Sequence, residues 1–181
     1  MFTDRTQILV TFVLIVSVII LIIGIEKQLK ERKKQYICEG YLRHWRSAFE
    51  IYQKEKALAK KIFSWEKKEE WMDSFIQNFF FEKDIAFCPA ASGKGKKSYK
   101  INSHLFSKEF SRNNFVLPSQ KIVFVLDGQC SNNHFTQTEN PLEEIDYRHL
   151  GGANVLWSDG SVSHQKPGIE MAWQEKDLGK K

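Results

Sequence analysis

Residues 8–25 read ILVTFVLIVSVIILIIGI, a run of 18 residues without a charged side chain. An α-helix rises about 1.5 Å per residue, so this run spans roughly 27 Å, close to the thickness of the bilayer hydrocarbon. A cleaved signal peptide would have a shorter apolar region and small residues at a cleavage site, but Glu26-Lys27-Gln28 follows directly. The run therefore predicts an uncleaved transmembrane helix, with residues 1–7 as a short N-terminal segment.

The helical pattern continues beyond the apolar run. No proline occurs before Pro89, and the glycines before it are Gly24 and Gly40. Apolar residues recur at steps of three and four, the period of one helical face. They are Ile37, Tyr41, Leu42, Trp45, Ala48, Phe49 and Tyr52. We therefore predict one helix from residue 7 to about residue 60, in which 26–60 is an amphipathic continuation that packs on a globular domain.

Residues 61–176 are long enough for one α+β domain with its own core. Ser64 is a candidate cap for a second helix that ends near Phe81, and residues 85–90 form a short buried segment broken by Pro89. Residues 92–97 are a basic, glycine-containing loop, and 177–181 are a polar tail.

Two segments have the composition of β-strands, residues 121–126 and 153–158. Asp159-Gly160 after the second strand predicts a two-residue type I′ hairpin turn. In that register Trp157 faces Val162 and Val155 faces His164.

Composition and motifs argue against several functions. The net charge is +5, but basic and acidic residues are interspersed, so nothing indicates a nucleic-acid partner. The chain has no nucleophile-elbow, zinc-protease or dinucleotide-binding motif, which favours a protein that is not an enzyme. Its three cysteines, Cys38, Cys88 and Cys130, allow three different pairings and lack the short spacing of a zinc site.

The charges flanking the apolar run indicate an orientation. Five Lys or Arg lie between Lys27 and Lys34, against Arg5 alone before the run. The positive-inside tendency would place the C-terminal domain in the cytoplasm.

Residues 147–164 read YRHLGGANVLWSDGSVSH, in which nine residues separate His149 from Asp159-Gly160. With the apolar helix, Cys38-Glu-Gly-Tyr-Leu42-Arg43, Phe87-Cys88-Pro89, Ser98 to Asn102, and the strand ending at Asp127-Gly128, this stretch makes five blocks in order. Together they resemble the prepilin-type processing-associated H-X9-DG family of pilin-like proteins.

The resemblance implies a pilin-like α+β fold, in which a long N-terminal helix packs on a small antiparallel sheet. It implies a disulfide between Cys38 and Cys88, and a domain in the periplasm or outside the cell, against the orientation that the charges favour. It also implies a non-enzymatic pseudopilin-type subunit in the bacterial inner membrane. Its partners would be the lipid bilayer and other pilin-like subunits or components of a type II secretion or type IV pilus-like assembly.

The chain departs from the family pattern at several positions, among them Tyr41, where the family usually has Asn. No Gly precedes Phe2 for prepilin cleavage, Thr6 stands in place of the Glu that registers neighbouring subunits, and Ser161 replaces a common His. The alternative function is therefore a membrane-tethered, extracytoplasmic binding module with a pilin-like fold that is neither processed nor assembled.

The motif residues His149 and Asp159 lie at opposite ends of a predicted strand about 20 Å long. Asp159 is explained by its turn, and we expect no catalytic residues. His149 is expected to contact Asp127 and close the loop, and that contact should raise the pKa of the imidazole. Asp127, Asp146, His149 and Asp159 are the candidate metal donors, with Ca²⁺ as the candidate ion, but they lack EF-hand spacing. We therefore predict no metal site and no cofactor.

Overall fold

The computed structural model describes residues 4–54, 76–77, 83–91, 98–102, 121–129 and 141–173. The helix α1 is Asp4–Lys54, and the strands are β1 Tyr99–Ile101, β2 Val123–Asp127, β3 Ala153–Trp157 and β4 Val162–Gln165. Two 3₁₀ turns, Lys83–Ala86 and Pro141–Glu144, lie between these elements. Apart from residues 76–77, the predicted second helix lies outside the described residues, as do the loop 92–97 and the tail 177–181.

Helix α1 is continuous from Asp4 to Lys54, with no break between residues 26 and 36 and with Gly40 inside it. The predicted end near residue 60 lies outside the described residues. The apolar run is exposed on all sides and is long and apolar enough to cross a membrane. The hydroxyls of Thr11 and Ser17 donate to backbone carbonyls four residues earlier, at 2.9 Å. These bonds satisfy the two polar groups inside the helix itself, as an apolar surrounding requires.

The second half of α1 packs on the sheet through one stripe of side chains. The buried members, Cys38, Leu42, Trp45, Ala48 and Phe49, follow each other at steps of three, four or one along one helical face. They form one core with residues of the sheet and of the 83–88 segment. The rings of Phe49 and Phe124 meet edge to face with centroids 4.5 Å apart. Four of these five residues belong to the amphipathic face predicted from the sequence, of which Ile37 and Tyr41 are only partly buried.

The four strands form one antiparallel sheet in the order β1-β2-β3-β4. The structure thus confirms an α+β fold with one long N-terminal apolar helix and an antiparallel sheet. The predicted strand 121–126 is observed two residues shorter at its start and one longer at its end, and 153–158 ends at Trp157. Strand β1 was not predicted as a strand.

A β-bulge in β2 determines which side chains face the helix. Val123 pairs with Trp157, but Val125 pairs with Leu156, so one extra residue of β2 lies between the two pairs. A bulge of this kind shifts the alternation of side chains by one position. Phe124 and Val125 consequently both join the core under the helix. Asp127, two residues further, therefore faces the same side as Val125.

The hairpin between β3 and β4 differs from the predicted type I′ turn. Gly160 N–H donates to the Trp157 carbonyl and Trp157 N–H to the Ser161 carbonyl, both at 2.9 Å, so the loop has three residues. Gly160, at φ 87°, has a positive φ, whereas Asp159 does not. Asp159 Oδ1 instead accepts from the backbone N–H of Ser161 at 2.9 Å. This Asx bond fixes Asp159 in a conformation other than type I′.

The longer loop moves the register of β4 by one residue. Val162 pairs with Leu156 and His164 with Asn154, so Val162 lies on the helix side of the sheet, away from Val155. The predicted pairs Trp157–Val162 and Val155–His164 are therefore wrong. A one-residue shift moves every side chain of a strand to the opposite face.

A second core covers the other face of the sheet. It contains Val123, Leu126, Ala153, Val155 and Trp157, which Met171 and Trp173 cover from the C-terminal segment. Asn102 Nδ2 donates to the carbonyls of Val123 and Trp173, both at 2.8 Å. Both faces of the two central strands are thus buried, which explains why β2 and β3 are apolar almost throughout.

We predict that Gly160→Ala lowers the free energy of unfolding by about 1–2 kcal/mol, the cost of a positive φ for a residue with a Cβ. The new Cβ would also lie 3.1 Å from Arg46 Nε. Gly40→Ala is the matched control, because its Cβ would meet nothing within 4 Å. This helical substitution should raise stability by about 0.5–1 kcal/mol. Chemical unfolding of both variants in detergent measures the difference, and equal stabilities would contradict the positive-φ requirement.

Candidate functional site

Four buried side chains from different parts of the chain meet under helix α1. Cys38 comes from the helix, Cys88 follows the 83–86 turn, Asp127 ends β2, and His149 precedes β3. Each is at most 4% exposed. Their donor atoms all lie within 4.8 Å of one another. We call these four residues the buried cluster.

Contacts inside the buried cluster converge on one nitrogen of His149. Its Nε2 lies 3.1 Å from the sulfur of Cys88 and 3.4 Å from Oδ2 of Asp127. Cys38 and Cys88 form a disulfide, with Cα atoms 5.6 Å apart. The disulfide and the Asp127–His149 contact, which the sequence predicts separately, are therefore parts of one site.

The side chains of Asp127 and His149 make few hydrogen bonds beyond their mutual contact. Oδ2 of Asp127 accepts from the backbone N–H of Asn154 at 2.7 Å. Within the part of the chain that the structure describes, Asp127 Oδ1 and His149 Nδ1 have no hydrogen-bond partner. Unsatisfied buried polar atoms are uncommon in native structures and call for an explanation.

A tight loop positions His149. The backbone N–H groups of His149 and Gly152 each donate to the other residue's carbonyl, at 2.9 Å. Between them Leu150 and Gly151 have φ values of 50° and 76°, the two positive φ angles of a type I′ turn. The type I′ geometry predicted at residues 159–160 is therefore found here. It reverses the chain directly before β3 and directs the imidazole into the core.

Gly152 is required for close packing rather than for its φ. A Cβ at this position would overlap the ring of His164. His164 Nε2 is also 2.6 Å from the carbonyl oxygen of His149. His164 thus braces the loop from strand β4, a contact that the predicted pairing of His164 with Val155 does not include.

Burial controls the charges of the Asp–His pair. It raises the pKa of Asp127 to about 7, although the Asn154 N–H and the charge of Arg148 act in the opposite direction. It lowers the pKa of His149 to about 4, and the nearby Arg148 and His164 add to this effect. The expected rise in the His149 pKa is therefore wrong. Removing both groups from water disfavours their charged forms more than their mutual contact favours them.

The other predicted metal donors lie apart from the buried cluster. Asp146 pairs with Arg148 at 3.0 Å and is partly exposed. Asp159 is exposed in the β3–β4 turn, at the far end of β3 from His149, where we expected it. The structure brings together Asp127 and His149 and adds the sulfur atoms of Cys38 and Cys88, which were expected only to form a disulfide. The meeting of Asp127 with the two sulfur atoms depends on the β-bulge in β2. Simple alternation along β2 would place Asp127 on the face of the sheet opposite the helix.

The buried cluster contains the side chains of a cysteine nucleophile site but not its arrangement. A catalytic Cys–His pair needs a free thiolate, with the third group on the other imidazole nitrogen. Here the Cys88 sulfur is bonded to Cys38, and Asp127 contacts the same Nε2 that faces this sulfur. Calcium is no better a match, because the cluster offers one carboxylate rather than six to eight oxygens.

A second feature is an open cleft of about 490 Å³ between α1 and the β4 side of the domain. The cleft lies beside the part of helix α1 that follows the apolar run, and its lining contains both basic and acidic side chains. Its lining residues are Arg32, Gln35, Tyr36, Glu39, Leu150, His164 and Lys166.

In comparisons with known proteins, no family model, curated protein or solved structure matches the chain. The resemblance to the H-X9-DG family thus stays a prediction from the residues.

We predict that Leu150→Asn stabilises the protein by about 0.5–1 kcal/mol. Asn tolerates a positive φ and is favoured before Gly in type I′ turns. Leu150 is 47% exposed, so little packing is lost. Leu150→Val is the matched control and should destabilise by about 1 kcal/mol, because a β-branched residue adopts positive φ with greater strain. Thermal unfolding of both variants tests the turn, and the reverse order of stabilities would exclude this geometry.

We predict opposite pH dependences for two nearly isosteric variants. The raised pKa of Asp127 favours folding at low pH, an effect lost as pH rises from about 4 to about 7. The lowered pKa of His149 favours folding above its ordinary value of 6.5, an effect lost as pH falls toward about 4. In the wild type the two slopes oppose each other over the shared range.

Asp127→Asn keeps only the slope of His149, so its free energy of unfolding should rise as pH rises from about 4 to 6.5. His149→Gln keeps only the slope of Asp127, so its free energy of unfolding should fall as pH rises from about 4 to 7. Each slope should be roughly 1 kcal/mol per pH unit. Urea unfolding across this range measures both, and parallel curves for the two variants and wild type would show that neither group changes its protonation on folding.

Proposed function

We propose that the protein is a single-pass, membrane-anchored, pilin-like structural subunit of the pseudopilin type. It acts in a type II secretion or type IV pilus-like assembly in the bacterial inner membrane, with its domain outside the cytoplasm. The observation that carries this proposal is the unbroken helix α1, Asp4–Lys54. The first half of the helix is apolar and exposed on all sides, and its second half packs on the antiparallel sheet.

The two halves of α1 require different surroundings. A helix that is apolar on all sides is stable in a protein core or in lipid. Within the described residues nothing covers the run from Ile8 to Ile25, where Ile8 and Leu21 are 68% and 65% exposed. Lipid, or the equivalent helices of neighbouring subunits, would cover this surface. An assembling subunit needs such a surface and a domain rigidly joined to it.

The disulfide supports a domain outside the cytoplasm. Disulfides such as Cys38–Cys88 persist in oxidising compartments and are rare in the cytosol. The bond joins the helix to the 83–91 segment, so it would strengthen the joint that transmits force between membrane and domain. This argument favours the topology of pilin-like proteins over the topology indicated by the five basic residues of 27–34.

A mechanical role also agrees with the inaccessibility of the buried cluster. Cys38, Asp127 and His149 are fully buried and Cys88 is 4% exposed, so a substrate would have to open the core to reach them. A group that contacts no solvent suits a structural joint better than a reaction centre.

A second candidate is a membrane-tethered binding module that keeps the fold but does not assemble. The N-terminal sequence favours it, since Thr6 stands in place of the Glu that registers neighbouring subunits. The open cleft beside the helix would then be one surface for a partner. The two candidates differ in the mature N-terminus and in the association state.

We predict that the mature chain in membranes begins at Phe2, carries an N-terminal methyl group and forms multimers. Intact mass spectrometry measures the first two properties, and lysine-directed cross-linking in native membranes should give a ladder of multimers. The control is Thr6→Glu beside Thr6→Gln, since only the carboxylate should strengthen the ladder by pairing with a neighbour's N-terminal amine. An intact Met1 together with monomers in all three chains would instead establish the unassembled module.

A further inference from the structure

We propose that Cys38, Cys88, Asp127 and His149 form a zinc-binding site when the two sulfur atoms are reduced to thiols. The proposal goes beyond the structural function and does not depend on it. It concerns a second state of the buried cluster, in which a metal ion replaces the disulfide as the link between helix α1 and the sheet domain.

The spacing of the donor atoms supports the site. Zinc binds sulfur at about 2.3 Å and nitrogen or oxygen at about 2.0–2.2 Å, so tetrahedral ligand atoms lie about 3.3–3.8 Å apart. His149 Nε2 is already 3.1 Å from the Cys88 sulfur and 3.4 Å from Asp127 Oδ2. With their Cα atoms 5.6 Å apart, Cys38 and Cys88 can separate their sulfurs by side-chain rotation. The backbone therefore needs only a small adjustment.

The chemistry of the donors selects the metal. Two thiolates and one imidazole suit zinc, a borderline-soft ion, and a carboxylate is an accepted fourth ligand. Calcium and magnesium require oxygen ligands and would leave both sulfurs unused. Four protein ligands close the coordination sphere, which is typical of a structural zinc site rather than a catalytic one.

Charge and hydrogen bonding also fit a cation. In the part of the chain that the structure describes, Asp127 Oδ1 has no partner although it is buried. Two thiolates, one carboxylate and Zn²⁺ sum to a single negative charge. Arg148, whose side chain is 5% exposed, lies next in sequence to His149 and pairs with Asp146 at 3.0 Å. Its guanidinium provides the nearby positive charge that a buried anionic centre needs.

The exchange between the two states balances as follows. A dithiol reductant gives two electrons and two protons to the Cys38–Cys88 bond and becomes a disulfide itself. Zn²⁺ then displaces both thiol protons, and any proton held by Asp127, to solvent and binds the two thiolates, neutral His149 and the Asp127 carboxylate. In the reverse direction a disulfide oxidant takes two electrons from the two thiolates and two protons from solvent and becomes a dithiol, the Cys38–Cys88 bond re-forms, and the ion is released. Disulfide and zinc are mutually exclusive, because both use the same sulfur electron pairs.

The site therefore gives the helix a covalent link on an oxidising side of the membrane and a metal link on a reducing side. Either link joins the same two segments. The chain would keep its fold in both orientations, including the cytoplasmic one favoured by the basic residues of 27–34.

The test uses the full-length chain in detergent, reduced with a phosphine that is then removed. Zn²⁺ is added with and without a chelator, and the alkylation rate of each cysteine is followed by mass spectrometry. Zinc should slow alkylation of Cys38 and Cys88 at least 10-fold, while Cys130 serves as the internal reference. The oxidised chain should bind no zinc. This measurement needs no substitution and so does not depend on the folding of a variant.

Cobalt(II) provides the second readout in a Cys130→Ser background. One equivalent should give the thiolate-to-cobalt charge-transfer band and the intense visible bands of tetrahedral coordination. Asp127→Asn and His149→Gln should each weaken binding at least 10-fold. The matched controls Asp159→Asn and His44→Gln remove the same chemistry at exposed positions outside the buried cluster and should leave affinity unchanged.

Unprotected Cys38 and Cys88 in the presence of excess zinc would overturn the proposal. So would a cobalt spectrum without the thiolate band, or equal losses in the control variants. If a variant does not fold, the alkylation measurement on the wild-type chain decides the proposal by itself.

Discussion

The stripe of side chains from Cys38 to Phe49 on helix α1 is the contact on which the rest of the structure depends. It covers the inner face of the sheet, so Leu42, Trp45 and Phe49 are fully buried. Without it the β1–β4 sheet would expose a continuous apolar face to water. The disulfide ties one end of the stripe to the 83–91 segment, and Arg46 ties the other end to the hairpin turn through the Ser158 carbonyl at 2.8 Å.

One extra residue in β2 places an ionisable side chain, Asp127, in the contact between helix α1 and the sheet. The bulge between Val123 and Val125 reverses the side-chain parity, so Asp127 lies beneath the helix rather than on the outer face. There it meets His149 and the disulfide, all buried from solvent. Burial then disfavours the charged form of both side chains, raising the pKa of Asp127 and lowering that of His149, whereas an exposed Asp–His pair would form an ion pair. Backbone irregularity, side-chain placement and protonation are thus linked in one short segment.

The sequence predicts the features that depend on simple periodicity. The continuous helix follows from its apolar spacing and lack of proline, and the Asp127–His149 contact follows from the antiparallel order of two strands. The bulge and the three-residue turn at Ser158–Gly160 depend on local backbone geometry, which no alternation pattern encodes. The predicted direction of the His149 pKa shift was wrong, because the burial of His149 depends on segments that are distant in sequence. Pairing of Cys38 with Cys88 was inferred from a family resemblance, and the structure has this bond.

The continuity of α1 also fixes the height of the domain. With residues 8–25 in the hydrocarbon, Arg32 stands about 10 Å beyond the last apolar turn, only a little more than the thickness of a headgroup layer. Leu150 and Lys166 line the same cleft as Arg32, so with that placement the edge of the domain that carries the His149 loop would lie just above the membrane surface. The buried stripe and the disulfide join helix and domain, so the two would move together. Rotation of the helix about its axis would then turn the sheet around the membrane normal, and a movement along the axis would lift the sheet by the same distance.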